Sequence, residues 1–189
     1  MNKREIRKQV LKQRDSIREE EKKTKDNSIR NSLLMLPEFK RANKVLFYAS
    51  YKSEVDTFAL IKDCISINKT VVLPKVNSES FQLDIYEIKD LSELHAGYQN
   101  IPEPFLPSDR ILQINDLDLI IVPGVAFDEH CNRLGYGKGF YDKLLNEKSS
   151  PAIALAYEEQ IVASVPAESH DIKMDKIITD RRIITKNGS

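Results

Sequence analysis

Cysteine is scarce: Cys64 and Cys131 are the only two, far apart and without a CxxC pair. That excludes a disulfide framework and a zinc ribbon, and it fits a reducing cytoplasm. Net charge is also missing, since 29 Lys and Arg balance 29 Asp and Glu. Without a global positive field no nucleic-acid partner is expected. No apolar stretch has the length of a membrane span or the look of a secretory core, so no membrane partner is expected either. A mitochondrial presequence is disfavoured by Glu5 and the acids of residues 15–21. His95, His130 and His170 are dispersed and do not make a spaced metal set. Cys131 has no base beside it in sequence, so a thiol nucleophile is not indicated. No internal repeat and no linker composition interrupts the chain.

What is present is an ordinary globular composition, 41% hydrophobic and 31% charged over 189 residues. A chain of that size buries about 70% of the surface it exposes when unfolded, enough for a real core. We expect one domain over residues 1–189, with N-terminal helices over 1–36 packing on it. In that stretch Ile6, Val10, Ile17, Ile29, Leu33 and Leu36 recur near the helical repeat and predict two helices ended by Pro37. Residues 45–49 read as a strand, 58–67 as a helix and 70–73 as a strand, a β-α-β unit. Residues 83–88 alternate apolar and polar, as a half-exposed edge strand does. Pro102, Pro104 and Pro107 make 97–109 a surface loop. The nearly continuous apolar run 117–122 predicts a central strand covered on both faces, 140–145 a helix, and 152–157 another buried strand. The expected class is α/β with a mainly parallel sheet.

The chemistry concentrates just after the run 117–122. Gly135, Gly137 and Gly139 alternate through residues 133–142, where a strand should give way to a helix. Ligands of open α/β sheets bind beyond the carboxyl ends of strands, and such glycines let backbone N–H groups approach phosphate oxygens. Lys138 offers a point charge and Arg133 a planar fork. Asp142 has the wrong sign for a phosphate unless a cation stands between, which points to Mg²⁺. The same residues also suit a plain strand-to-helix turn with Lys138 and Asp142 as solvated neighbours. The loop is neither a Walker A loop, because glycine follows Lys138, nor GxGxxG.

The runs 122–128 and 132–142 closely resemble the signature of the 5-formyltetrahydrofolate cyclo-ligase family. Further likeness covers residues 3–7, 53–57, 73–75 and 101–104, so it spans almost the whole chain. The resemblance implies a three-layer α/β/α fold like that of sugar-phosphate isomerases and CoA transferases. It implies ATP- and Mg²⁺-dependent closure of 5-formyltetrahydrofolate, with or without a polyglutamate tail, by a monomeric enzyme. ATP contacts are then expected from Lys3, Arg7, Arg133, Leu134, Gly135, Tyr136, Gly137, Lys138, Gly139, Phe140 and Tyr141. Folate contacts fall on Glu54, Tyr136, Gly137, Lys138, Gly139 and Phe140. Lys138 and Tyr141 take the catalytic roles, neutralising phosphoryl charge and donating to the formyl oxygen. Asp142 and Asp171 are the expected metal side, with Asp175 an alternative to Asp171. Many relatives have Tyr where this chain has Phe140, so no hydroxyl role falls there. Arg14 shares the helical face of Lys3 and Arg7 but not the matched motif, and receives no role. A sugar-phosphate enzyme using Lys138 and Arg133, and a non-catalytic nucleotide or folate binder, are the rival readings.

Overall fold

The computed structural model describes residues 1–168 and 171–186, so His170 lies outside the described residues. The helices are α1 (Lys3–Asp15), α2 (Glu19–Met35), α3 (Pro37–Arg41), α4 (Phe58–Ser66) and α5 (Phe140–Leu145). The strands are β1 (Lys44–Leu46), β2 (Thr70–Asn77), β3 (Gln82–Ile88), β4 (Leu94–Ala96), β5 (Pro102–Pro104) and β6 (Ile111–Leu112), then β7 (Leu119–Val122), β8 (Ala126–Phe127), β9 (Arg133–Leu134), β10 (Ala152–Leu155), β11 (Lys176–Ile178) and β12 (Ile183–Thr185). Among the described residues no helix is long and apolar enough to cross a membrane.

Eight strands form one sheet in the order β12-β11-β10-β7-β1-β2-β3-β6. β1 runs parallel to β2 and β7, and β10 runs parallel to β7 and β11. The outer pairs are antiparallel. From β1 the chain passes through α4 to β2 on one side, whereas β7 leads through α5 to β10 on the other. The order therefore reverses between β1 and β7, where a crevice opens beyond the carboxyl ends of the strands.

Strand side chains alternate between the two faces, and both faces are buried. Val45, Leu119, Ile121, Ile153 and Leu155 face Ile29 and Leu33 of α2, Phe39 of α3 and Leu60 of α4. Leu46, Ile120, Val122, Ala152 and Ala154 face Leu145 of α5 together with Ile114, Leu117 and Met174 from the connections. The result is the expected three-layer α/β/α arrangement. A third, smaller cluster seats α1: Ile6 and Val10 pack on Val125, Ala126 and Leu134 of the β8–β9 hairpin and its approach.

Several elements differ from expectation. α2 ends at Met35, ahead of Pro37 as expected, but Pro37 then opens a further short helix, α3, because a missing N–H costs nothing in a first turn. β1 stops at Leu46, and residues 47–49 continue toward the crevice. β2 runs past Leu73, through Pro74, to Asn77. β3 is not the edge, since β6 pairs with its Ile85 and Tyr86. The segment 97–109 is not all loop: β5 pairs with β4, its prolines at the strand ends of a separate two-stranded ribbon. β8, β9, β11 and β12 were not expected.

Candidate active site

A cleft of about 460 Å³ lies at the reversal point and brings together Lys3, Arg7, Glu54, residues 133–142 and Asp171. Tyr48 and Ala49 enter it from beyond β1, and Pro123 from beyond β7. A larger hollow of about 710 Å³ lies on the other side of α1, but no Lys or Arg side chain lines it. Asp175 is absent from the cleft: it accepts from the Ala152 N–H at the start of β10 and pairs with Lys148 at 3.0 Å.

The glycine loop joins β9 to α5. Gly137 and Gly139 have φ of 99° and 72°, the left-handed region that side chains with a Cβ rarely enter. Gly139 caps α5, and a Cβ there would meet nothing within 4 Å, so the loop is open to a ligand at this point. α1 crosses above. Arg7 donates through Nε to the Gly135 carbonyl at 2.8 Å, and its guanidinium lies over Gly137. Lys3, one turn earlier on the same face, pairs with Asp171 at 3.1 Å and Glu168 at 2.7 Å.

Arg133 is buried and reaches Asp142 Oδ1 at 2.5 Å, while its Nη1 donates to the Pro123 carbonyl. Its Nε has no partner despite burial, among the described residues. Lys138 is exposed at the loop tip. Tyr141 lies beside Arg133, and burial pushes its phenol well above the ordinary range, so it stays a donor. Phe140 meets Tyr98 edge to face at 6.0 Å, which ties the β4–β5 ribbon to the loop.

Glu54 occupies the other end. Its Oε1 accepts from the Tyr136 hydroxyl at 2.5 Å and its Oε2 from the Tyr51 N–H at 2.9 Å. Burial raises its pKa, partly opposed by those bonds and by Arg14. The Cys131 thiol is pushed up to about 11 by burial and is inert.

Two contributors were not read from the sequence. Arg14 belongs to the cleft wall and donates to both Ser53 and Tyr136. Its helical spacing from Lys3 and Arg7 was the available signal. The β4–β5 ribbon supplies Tyr98, Ile101 and Glu103, and three nearby prolines concealed it.

No group of three or more His, Cys, Asp or Glu side chains is gathered as a metal cage among the described residues. Asp142 and Asp171 nonetheless present hard oxygen donors beside the loop. Such a pair suits Mg²⁺, which binds through one or two carboxylates and takes its remaining ligands from phosphates and water.

Residues 1–180 match the model of the 5-formyltetrahydrofolate cyclo-ligase family. A Haemophilus influenzae 5-formyltetrahydrofolate cyclo-ligase is 32% identical over 179 residues, covering 92% of this chain and 95% of the relative. A probable 5-formyltetrahydrofolate cyclo-ligase of Schizosaccharomyces pombe is 34% identical over 173 residues, covering 83% and 84%. Among solved structures, the Aquifex aeolicus 5,10-methenyltetrahydrofolate synthetase superposes with a TM-score of 0.89 at 34% identity, covering 100% of this chain and 95% of that one. The corresponding Mycoplasma pneumoniae synthetase gives 0.77 at 26% identity, covering 95% and 99%.

Proposed function

The chain belongs to the 5-formyltetrahydrofolate cyclo-ligase family, and from that premise we propose that its cleft couples ATP cleavage to conversion of 5-formyltetrahydrofolate into 5,10-methenyltetrahydrofolate. The observation that supports this best is the union, in one cleft, of a cation-bearing glycine loop and a half-buried carboxylate, Glu54. One end suits a triphosphate. The other suits the polar N–H edge of a folate ring, because an ionised carboxylate accepts and does not donate.

The chemistry explains why ATP is needed. An amide oxygen is a poor leaving group. Attack of the formyl oxygen on the γ-phosphorus forms an O–P bond and expels ADP. N10 then adds to the activated carbon, the C–O bond breaks, phosphate leaves with the former formyl oxygen, and the N10 proton is lost. This asks the protein for alignment and charge neutralisation, with no covalent intermediate on a side chain.

Arg133, Arg7 and the backbone N–H groups of residues 135–139 hold the triphosphate in this reading. Lys138 meets the charge that shifts toward the departing ADP, and Tyr141 donates to the formyl oxygen. Glu54, with Tyr136, orients the ring. Asp142 and Asp171 would hold Mg²⁺, which would neutralise the triphosphate. Arg133 and Lys3, now paired with those two carboxylates, are the groups that would turn to phosphate instead.

Isotopic labelling tests the order of bonds. With ¹⁸O in the formyl group, the label should appear in the inorganic phosphate released. Label recovered in water, with none in phosphate, would contradict phosphorylation of that oxygen.

A further inference from the structure

Arg14 closes α1 against the Glu54 end of the cleft. Its Nε donates to Ser53 Oγ at 3.0 Å, and Ser53 in turn donates to Asp15. Its Nη2 donates to Tyr136 Oη at 3.0 Å, and its guanidinium carbon lies 5.9 Å from the centre of that ring. The residue is 3% exposed. Its Nη1 is buried without a partner among the described residues.

The direction of each bond follows from donor chemistry. A guanidinium only donates, so the Tyr136 oxygen must accept from Arg14. The single phenolic proton is then left for Glu54 Oε1, and the 2.5 Å separation is that of a charge-assisted O–H···O⁻ bond. Glu54 Oε2 accepts from the Tyr51 N–H. Both oxygens are thereby fixed as acceptors, and each keeps a further lone pair for a ligand.

We propose that Arg14 is a positioning residue that acts through the Tyr136 hydroxyl to hold Glu54 as an oriented double acceptor for a planar, N–H-bearing substrate edge. This rests on the folate reading of the Glu54 end. A purely structural arginine would saturate its donors, as Arg110 does more nearly on Glu87 and Glu93. Arg14 instead gives one donor to Tyr136, which lines the cleft, and one to Ser53 beside it, and its Nη1 has no partner among the described residues.

Other groups around Glu54 cannot substitute for it. Tyr48 and Tyr141 face the carboxylate, but burial pushes both phenols up and keeps them neutral. Tyr157 Oη donates its one proton to Asp26 Oδ1 at 2.6 Å, and near Glu54 it approaches only the backbone carbonyl, at 3.3 Å. Burial raises the Glu54 pKa, and among the described residues Arg14 is the cation whose charge opposes that rise. Removing its charge raises that pKa further. Since the carboxylate form binds the substrate, binding should then fail at a higher pH as the solution is acidified.

The test measures 5-formyltetrahydrofolate binding and turnover against pH for the wild type, Arg14→Met, Arg14→Lys, Tyr136→Phe and the Met/Phe double variant. Arg14→Met should weaken folate binding about tenfold, raise the folate KM with the ATP KM within about twofold, and move the acid limb to higher pH. Arg14→Lys should keep the limb near its wild-type position. The double variant should bind no more than about twofold worse than Arg14→Met, because both changes cut one chain of bonds. An unmoved acid limb, or additive losses in the double variant, would overturn the proposal. Tyr136→Phe gives an independent answer if Arg14→Met does not fold: an unchanged folate affinity in that variant overturns it as well. Failure of the wild type to bind 5-formyltetrahydrofolate would instead defeat the folate reading itself.

Discussion

Of the cations along the cleft, Lys138 alone has no hydrogen bond, ion pair or ring contact among the described residues. Lys3 is held by Asp171 and Glu168, Arg7 by the Gly135 carbonyl, Arg133 by Asp142 and Arg14 by Tyr136 and Ser53. Lys52 lies over the Tyr51 ring. Lys138 therefore has no bond to give up before meeting a phosphate, and its charge is best used where charge develops. Lys138→Ala should lower kcat about 100-fold or more while changing folate affinity little, in keeping with loss of one preorganised electrostatic group. Steady-state kinetics beside equilibrium folate binding checks this, and a folate-binding defect with normal kcat would contradict it. The glycine loop was legible in the sequence because its residues are contiguous, and their types alone suggest phosphate and Mg²⁺. Arg14 was not legible in that way, because Tyr136 and Ser53 come to it from distant parts of the chain. Nor could sequence show that Asp142 and Arg133, read as separate ligand contacts, hold each other.

Among the elements, α1 carries the most consequence for its size. One side buries Ile6 and Val10 on the β8–β9 hairpin, and the neighbouring side delivers Lys3, Arg7 and Arg14 along the cleft. Packing of two apolar residues thus decides whether three cations reach the site. Val10 is 1% exposed, so Val10→Ala should cost about 2 kcal/mol from lost burial and the cavity left behind. Hydrogen exchange should quicken in α1 while β7 stays protected, and the ATP KM should rise. Equal acceleration in α1 and β7 would mean that α1 is not a separable support of the site. The helical repeat of α1 and α2 was plain in the sequence, as were β7 and β10, whose buried runs are nearly continuous. β8, β9, β11 and β12 span two or three residues each, too few for a period to show. β5 escaped notice because Pro102 and Pro104 contribute no N–H, although a short separate ribbon tolerates them.

For the whole molecule, the sheet order determines where everything meets. The reversal between β1 and β7 places the segments after both strands at one crevice, and α1 and the β4–β5 ribbon wall it in. Apolar runs foretold a mainly parallel sheet but not this order, which depends on pairings distant in sequence. The central claim is that the enclosed cleft joins a triphosphate to a folate. It is tested most directly by mixing the purified protein, verified as folded, with 5-formyltetrahydrofolate, ATP and Mg²⁺ and following methenyl-folate absorbance. The absorbance should rise only when all three are present and cease when either ATP or Mg²⁺ is withheld. No rise in the complete mixture, or an equal rise without ATP, would contradict the account.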